Sequence, residues 1–329
     1  MATSQNPATP AELAWSPRAL LRRMRGADEI AHFITLLAAV TLLLITALLV
    51  YQLWVLSADA RAKFGWSFFV TQTWDPVAGD FGALPFIYGT LVTSAVALVL
   101  AVPLGVGGAI FLAELAPPKL SSALTFVSDL LAAVPSVIYG LLGVFLLVPI
   151  MRTTIQPALK KTLGFLPLFQ GPAYGIGFLT AGIVLAVMIV PFVLSVSREV
   201  LLAVARDQRE AALALGATKW ESTWKVVVPA ARIGIFGSVF LALARALGET
   251  MAVTMVIGNN PKIAASLFSP GYSIAAVLAN EFSEATGNLY LSALIELGLV
   301  LFLLTFVLNG LARLLILVTT ARGSGVLPS

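Results

Sequence analysis

Long apolar runs separated by shorter polar stretches make up most of this chain. A helix of about 20 apolar residues crosses the hydrocarbon core of a bilayer, and six runs reach that length. The pattern predicts an all-α integral membrane protein with both termini on the same side. The six transmembrane helices are expected near residues 30–56, 88–113, 124–151, 176–196, 233–257 and 292–318.

The segments outside these runs divide the chain further. Residues 1–29 are polar and then basic, which predicts a cytoplasmic N-terminal tail containing an interfacial helix. Residues 30–318 form the predicted transmembrane domain, which includes a polar loop at 198–232. Residues 319–329 are expected to form a cytoplasmic C-terminal tail.

Composition supports a membrane protein, because 59% of the residues are hydrophobic and only 11% are charged, whereas soluble domains average about 25% charged residues. The absence of cysteine excludes thiol chemistry, and with a single histidine, His32, no metal or other cofactor is expected. The net charge of +4 does not indicate a nucleic-acid partner. The basic residues flank the apolar runs and suit contact with membrane lipid.

Basic residues are distributed unequally between the two sides of the predicted membrane. Thirteen of the 20 Lys and Arg residues fall on the side of the termini, and six fall on the opposite side. Because positively charged loops favour the cytoplasm, the termini and the polar loop at 198–232 are predicted to be cytoplasmic.

The sequence DQREAALALGATKWESTWKVVVP, at 207–229, predicts two short helices joined at a glycine. The spacing of a capping box occurs twice, in the pairs Asp207–Glu210 and Thr218–Glu221. Gly216 suits the left-handed conformation that ends a helix, and Pro229 is expected to end the second helix. Such a compact polar pair at a membrane surface is typical of a contact with a partner protein.

Two of the predicted spans carry a small and polar face. In the third span such residues recur at intervals of 4, 3, 4 and 3, and they are Asp129, Ala133, Ser136, Gly140 and Gly143. In the fifth span the same intervals relate Ser238, Ala242, Arg245, Glu249 and Ala252. Small faces permit close packing of membrane helices, and Pro135 is expected to bend the third span.

Charged residues inside the spans define a candidate path for an anion. A charge at the bilayer centre costs about 2.5–3.5 kcal/mol on insertion scales, so Arg245 and Glu249 need a partner or a polar cavity. One interpretation is an Arg245–Glu249 ion pair that locks two helices together. The other is a translocation path that has Arg245 as its attractive centre and Ser136 in its lining. There, Asp129, Glu249 and Glu296 tune the charge and accept a hydrogen bond from a protonated anion.

The polar loop also resembles the coupling motif of ABC-importer permeases, which reads EAA, three residues, Gly, nine residues, Ile, one residue and Leu-Pro. The residues that match it are Glu210, Ala211, Ala212, Gly216 and Pro229, with Val226 and Val228 in place of the Ile and Leu. The resemblance implies the type I ABC-importer permease fold. It also implies that the loop seats in a cleft of a separate ATPase subunit.

Four further segments resemble the permease subunits of phosphate ABC importers. They are PLGVGGAIFLAEL at 103–115, VPSVIYG at 134–140, RALGETMAVTMVIGN at 245–259 and LANEFSEA at 278–285. The resemblance implies a subunit of a phosphate importer in a bacterial cytoplasmic (inner) membrane. The partners that it implies are a PstA-like permease subunit, a PstB-like ATPase dimer, a PstS-like phosphate-binding protein and phosphate itself.

No enzymatic activity is expected of the chain itself. Its sequence lacks the G-x-x-x-x-G-K-[ST] loop that cradles nucleotide phosphates, so ATP hydrolysis is assigned to a separate subunit. Phosphate at neutral pH keeps a proton that it can donate to a carboxylate, whereas sulfate does not. This chemistry is compatible with phosphate but leaves alternatives open. They are a permease for another oxyanion such as sulfate or molybdate, a secondary transporter, and a sensory or scaffold subunit.

Overall fold

The structure is a computed structural model that describes the backbone of residues 17–323 and the side chains of residues 30–314. Its helices are α1 Pro17–Leu56, α2 Ala58–Phe64, α3 Ser67–Val70, α4 Leu84–Ile110, α5 Pro118–Ala132, α6 Ser136–Leu142, α7 Val148–Ile150, α8 Gln156–Leu163, α9 Phe178–Leu202, α10 Arg206–Ala214, α11 Lys219–Ser222, α12 Val228–Leu247, α13 Met251–Ile257, α14 Ile274–Glu281 and α15 Asn288–Gly323. The π-helical turns Phe111–Leu115, Gly143–Leu147, Met151–Ile155 and Thr223–Val227 extend or join these helices, and Pro167–Phe169 forms a 3-10 turn. Two short strands, β1 Trp74–Asp75 and β2 Asp80–Phe81, pair antiparallel.

Six helical stretches of the described chain are long and apolar enough to cross a membrane. They are Ile30–Leu56, Leu84–Leu115, Ser136–Leu163, Phe178–Leu202, Lys219–Leu247 and Asn288–Leu314. The predicted all-α membrane fold with six spans is therefore confirmed. Most of the predicted N-terminal tail, residues 1–16, and the end of the C-terminal tail, residues 324–329, lie outside the described residues.

The chain divides into two units, the first ending at Val55 and the second beginning at Leu56. In the first unit, most of the described apolar side chains of α1 are exposed. The hydroxyl groups of Thr35, Thr41 and Thr46 each donate to the carbonyl four residues earlier, so they need no outside partner. A helix that is apolar all round suits the interior of a membrane.

The second unit is built around α4 and α9, which approach each other at glycines. A Cβ atom on Gly182 of α9 would lie 2.4 Å from Val96 Cγ1, and one on Gly105 of α4 would lie 2.7 Å from Val193 Cβ. The two helices can be this close only because these positions carry no side chain. Leu185 and other buried residues of α9 form the centre of the largest apolar cluster.

The third span begins later than predicted. The sequence predicted one helix over 124–151, but α5 ends at Ala132 and α6 begins at Ser136. Pro135 lies between them with an extended ψ of 140°, which interrupts the helical path, and proline has no amide hydrogen to bond back to the preceding turn. The continuous polar face predicted for this span is therefore wrong, and Asp129 lies on a different helix from Ser136.

The glycine part of that face does pack as predicted. A Cβ atom on Gly140 would lie 3.1 Å from Cα of Ala252 in α13, and one on Gly143 would lie 2.8 Å from Val256 Cγ1. These contacts hold α6 and the turn after it against α13.

The fifth span is also interrupted, although the sequence predicted one helix over 233–257. The helix α12 ends at Leu247, and α13 begins at Met251. Glycine at 248 has a low helix propensity. The side chain of Glu249 accepts a hydrogen bond from the amide of Ala252, 3.2 Å away, and so supports the start of α13.

An aromatic layer packs against one end of α4 and one end of α15. These ends lie next to α2, α3 and the hairpin that β1 and β2 form. The Trp74 ring lies 4.8 Å from the rings of Phe81 and Phe86, measured between centroids. Glu281 Oε2 accepts hydrogen bonds from Trp74 Nε1 and Tyr290 Oη, both at 2.8 Å. These contacts join the loop at 57–87 to the loop at 258–291 in one folded layer.

We expect Gly182→Ala to destabilise the protein and Gly107→Ala on α4 to leave it stable. The methyl group at 182 would collide with Val96 and force α4 and α9 apart, which costs about 1–3 kcal/mol. A methyl group at 107 meets no atom within 4 Å, and alanine is the better helix former by about 1 kcal/mol. Thermal unfolding of the purified variants in detergent measures the difference. Equal unfolding midpoints would contradict the close contact of the two helices.

Candidate translocation path and coupling segment

Arg245 lies in the last turn of α12, and its side chain is exposed on the surface of the second unit. Its guanidinium carbon lies 5.8 Å from the centroid of the Phe192 ring on α9, which is a cation–π geometry. Among the side chains of residues 30–314, the ion pairs are Arg198–Glu199, Arg209–Glu114 and Lys225–Glu221. Arg245 belongs to none of them, so these side chains do not show the ion pair with Glu249 that one interpretation of the sequence required.

The helix α9 brings Asp129 to the same surface as Arg245. Asp129 Oδ1 accepts a hydrogen bond of 2.9 Å from Ser195 Oγ. Ser195 follows Phe192 by three residues, and residues at this spacing are neighbours on one helix face. A single face of α9 therefore contacts the guanidinium of Arg245 and the carboxylate of Asp129, which come from α12 and α5.

Ser136 and Glu249 lie at the two helix breaks. Ser136 is the first residue of α6, directly after Pro135, and Glu249 lies between α12 and α13; both are half-buried. A break in a membrane helix leaves backbone polar groups unpaired, and such breaks are tolerated where protein or a water-filled cavity surrounds them. Both breaks are therefore suitable places for a polar lining.

Glu296 has different surroundings from the other predicted path residues. Its side chain is buried on α15, and its Oε2 atom accepts no hydrogen bond from the described residues. Ser292, four residues earlier on α15, accepts a hydrogen bond of 3.1 Å from the Ala60 amide of α2, so Glu296 lies towards α2 instead of on the exposed face with Arg245. Within the part of the chain that the structure describes, no group of three or more His, Cys, Asp or Glu side chains could hold a metal ion.

The polar loop forms a compact segment of two short helices, residues 206–229, which we call the coupling segment. The helices α10 and α11 are joined at Gly216, whose φ of +86° is the left-handed conformation that the sequence predicted. The capping box of Thr218 and Glu221 is also confirmed. Thr218 Oγ1 accepts from the Glu221 amide at 3.2 Å, and Glu221 Oε2 accepts from the Thr218 amide at 3.0 Å.

Two local predictions for the coupling segment are wrong. Asp207 does not cap α10, because the helix begins at Arg206 and Asp207 lies in its first turn. There its negative charge interacts favourably with the positive end of the helix dipole. Pro229 does not end a helix, because the π-helical turn Thr223–Val227 continues from α11 directly into α12. Pro229 is the second residue of α12. Proline has no amide hydrogen, and the π-helical turn directly before it is the local distortion that accommodates this gap in the helical hydrogen-bond ladder.

The coupling motif is accessible on the surface of this segment. Glu210, Ala211 and Gly216 are exposed, Ala212 is half-buried, and Leu215 is 90% exposed. A cavity of about 570 Å³ opens beside them. Leu213 and Trp220 of the same segment are exposed as well, and several exposed large apolar side chains on one short segment are typical of a surface that another protein covers.

Four residues of these sites escape the sequence-based prediction. Phe192 and Ser195 lie in an apolar run with no local signal. Arg209 and Glu114 form an ion pair across 95 positions of the chain. The position of Glu114, a lone carboxylate at the end of the second apolar run, is a signal that could have identified it, but nothing local in the sequence identifies its partner.

The fold is similar to those of solved ABC transporters. The structure of a bacterial ABC transporter involved in the import of the acidic polysaccharide alginate matches with a TM-score of 0.56 at 15% sequence identity, covering 89% of this chain and 98% of that chain. The bacterial alginate ABC transporter in complex with alginate pentasaccharide-bound periplasmic protein matches with a TM-score of 0.55 at 15% identity, covering 87% and 93%. At such low identity the likeness concerns the fold alone.

Closer similarity is found in sequence. Residues 105–316 match the family described as binding-protein-dependent transport system inner membrane component. The phosphate transport system permease protein PstC of Mesorhizobium japonicum is 47% identical over 308 residues, which cover 92% of this chain and 94% of the relative. The protein of the same name from Haemophilus influenzae is 48% identical over 286 residues, covering 86% and 90%. This chain therefore belongs to the binding-protein-dependent transport system inner membrane components, within the PstC permease family, and is a multi-pass inner membrane protein.

Proposed function

We propose that this chain is the membrane-spanning permease subunit of an ATP-driven importer of inorganic phosphate and forms half of its translocation path. The observation that carries the proposal is the exposed Arg245 on a unit whose helices span the membrane. A charge facing lipid costs about 2.5–3.5 kcal/mol or more, so water or a second subunit must cover this face. A PstA-like permease subunit meets that need. The names of the relatives indicate phosphate as the anion.

The exposed face offers both kinds of group that a protonated phosphate needs. Arg245 supplies a positive charge that can donate several hydrogen bonds, and Phe192 beneath it fixes its orientation. Asp129, Glu249 and Ser136 supply oxygen atoms that can accept the proton of phosphate. Glu296, which is buried on α15, acts on this path through its charge and not by direct contact.

The energy for transport comes from a separate PstB-like ATPase dimer that grips the coupling segment. In this proposal the residues that contact the ATPase are Glu210, Ala211, Ala212, Gly216 and Pro229. Closure of the ATPase dimer moves the coupling segment, which tilts α9 and α12 and opens the path outward. A PstS-like protein that carries phosphate docks on the loops at 57–87, 152–175 and 258–291, and releases phosphate towards Arg245.

The proposal requires a cytoplasmic coupling segment and cytoplasmic termini. The chain has no cysteine, so single cysteines can report the side of the membrane on which they lie. We expect a cysteine in place of the exposed Gln208 to react with a membrane-impermeant maleimide only in inside-out vesicles. A cysteine in place of Val77, which is 97% exposed in the hairpin loop, should react only in right-side-out vesicles. The opposite pattern would overturn the orientation.

Reconstitution tests the function as a whole. The chain, its companion permease and the ATPase dimer, in liposomes with ATP inside and the loaded binding protein outside, should accumulate radioactive phosphate. Omission of any subunit should stop uptake. Uptake by the lone chain driven by an ion gradient would indicate a secondary transporter instead. Uptake of sulfate or molybdate in preference to phosphate would show that the anion is misassigned.

A further inference from the structure

One guanidinium ties the coupling segment to the ends of two membrane helices. Arg209, in the first half of α10, lies beside Glu114 in the π-helical turn that ends the second span. Arg209 Nη2 donates to Glu114 Oε1 at 2.8 Å, and Nε lies 3.2 and 3.3 Å from the two carboxylate oxygens. The same side chain donates to the carbonyl of Leu201 at 2.7 Å and to the carbonyl of Val204.

This arrangement is shielded from water on both sides of the ion pair. The side chain of Glu114 is 8% exposed and that of Arg209 is 19% exposed. Buried charge pairs are costly to break from one side, because the remaining charge stays buried without its partner. The forked guanidinium can bond two groups at once, which a lysine cannot do. The contact is therefore suited to transmit force.

The contact also leads to the anion path. Leu201 belongs to the last turn of α9, the helix that carries Phe192 and Ser195. Leu201 follows Phe192 by nine positions along the helix, which is about 14 Å along the axis. The helix α9 is packed against α4 through the glycine contacts at Gly105 and Gly182, so the two helices form a rigid pair.

We infer that Arg209 and Glu114 are positioning residues that fasten the coupling segment to α4 and α9. A displacement of the segment by the ATPase then moves these two helices, and with them the contacts of Arg245 and Asp129. Without the fastening, the displacement is absorbed in the residues between α9 and α10. This inference rests on the proposed coupling role of residues 206–229.

The first experiment measures the phosphate imported per ATP hydrolysed by the reconstituted complex. We expect Arg209→Gln and Glu114→Gln each to lower this ratio about tenfold or more, because a buried group loses its partner. The double variant should be no worse than either single one, and Arg209→Lys should keep part of the ratio. Arg232→Gln is the matched control, since Arg232 is exposed on α12 and lies outside the coupling segment. Ratios in the Arg209 and Glu114 variants equal to that of the control would overturn the inference.

A reversible cross-link separates coupling from folding. Because the chain has no cysteine of its own, Glu114→Cys with Arg209→Cys introduces a unique pair in this subunit. A bifunctional methanethiosulfonate reagent should raise the low coupling ratio of this variant, and reduction should lower it again. Treatment of the parent complex with the same reagent shows whether the reagent affects the partner subunits. A ratio that the link and its reduction leave unchanged would overturn the inference, even if the glutamine variants assemble poorly.

The same measurements distinguish failure of this inference from failure of the proposed function. If Gly216→Pro lowers the coupling ratio while the Arg209 and Glu114 variants do not, only the fastening is wrong. If neither Gly216→Pro nor the Arg209 variants change the ratio, the coupling role of the segment is wrong as well.

Discussion

Replacement of Arg245 by glutamine is expected to lower phosphate uptake at least about a hundredfold, with the complex still assembled. Two unit charges 4 Å apart attract each other by about 4 kcal/mol at an effective dielectric constant of 20, and glutamine removes this attraction for the anion. The replacement should disturb the fold little, since the Arg245 side chain is exposed and contacts the Phe192 ring. Uptake of radioactive phosphate in proteoliposomes, normalised to the amount of purified complex, measures the effect.

Two further variants make this result specific. Arg232→Gln removes an exposed arginine from the same helix, near its other end, and should leave uptake unchanged. Arg245→Lys keeps the charge but not the fork, so it should retain part of the uptake. Loss of subunit assembly in Arg245→Gln would contradict the proposal, because it would show that the arginine mainly holds helices together.

The number of spans followed from the sequence, but the breaks within them did not. Apolar length alone identifies a membrane helix, and the six runs were long enough to leave little ambiguity. The sequence predicts a bend at Pro135 inside one helix, whereas α5 and α6 are separate helices on either side of it. The break after Leu247 had only a weak signal in Gly248. Whether a glycine interrupts a helix depends on what packs around it, which local propensity does not contain.

The coupling motif was more predictable than the path. Its glycine turn and its second capping box depend on neighbours within a few residues, so spacing was sufficient. The sequence pattern predicts that the path residues lie on two continuous helical faces. Arg245 and Asp129 are instead brought together by α9, through Phe192 and Ser195, which no periodicity identifies. The partner of Arg209 likewise comes from a segment 95 residues away in the chain.

Gly216→Pro is expected to uncouple transport, with phosphate uptake reduced about tenfold or more while the subunits still fold. Proline fixes φ near −65°, whereas Gly216 has a φ of +86°. Proline would also remove the amide that donates to the carbonyl of Leu213 at 3.0 Å. The turn between α10 and α11 would then be rebuilt, and the exposed motif would no longer present the same surface to the ATPase. Uptake and stimulated ATP hydrolysis of the reconstituted complex measure the change.

Lys219, the first residue of α11, offers a matched position for a proline control. Proline is favoured at the first helical position, and Thr218 before it already has an extended ψ of 161°, which suits a residue preceding proline. Lys219→Pro should therefore retain coupling. A milder pair is Gly216→Ala and Gly237→Ala, because a Cβ atom at either site meets nothing within 4 Å but only Gly216 has a positive φ. If Gly216→Pro transported phosphate as well as Lys219→Pro does, the coupling segment would not be the part of this subunit that the ATPase moves.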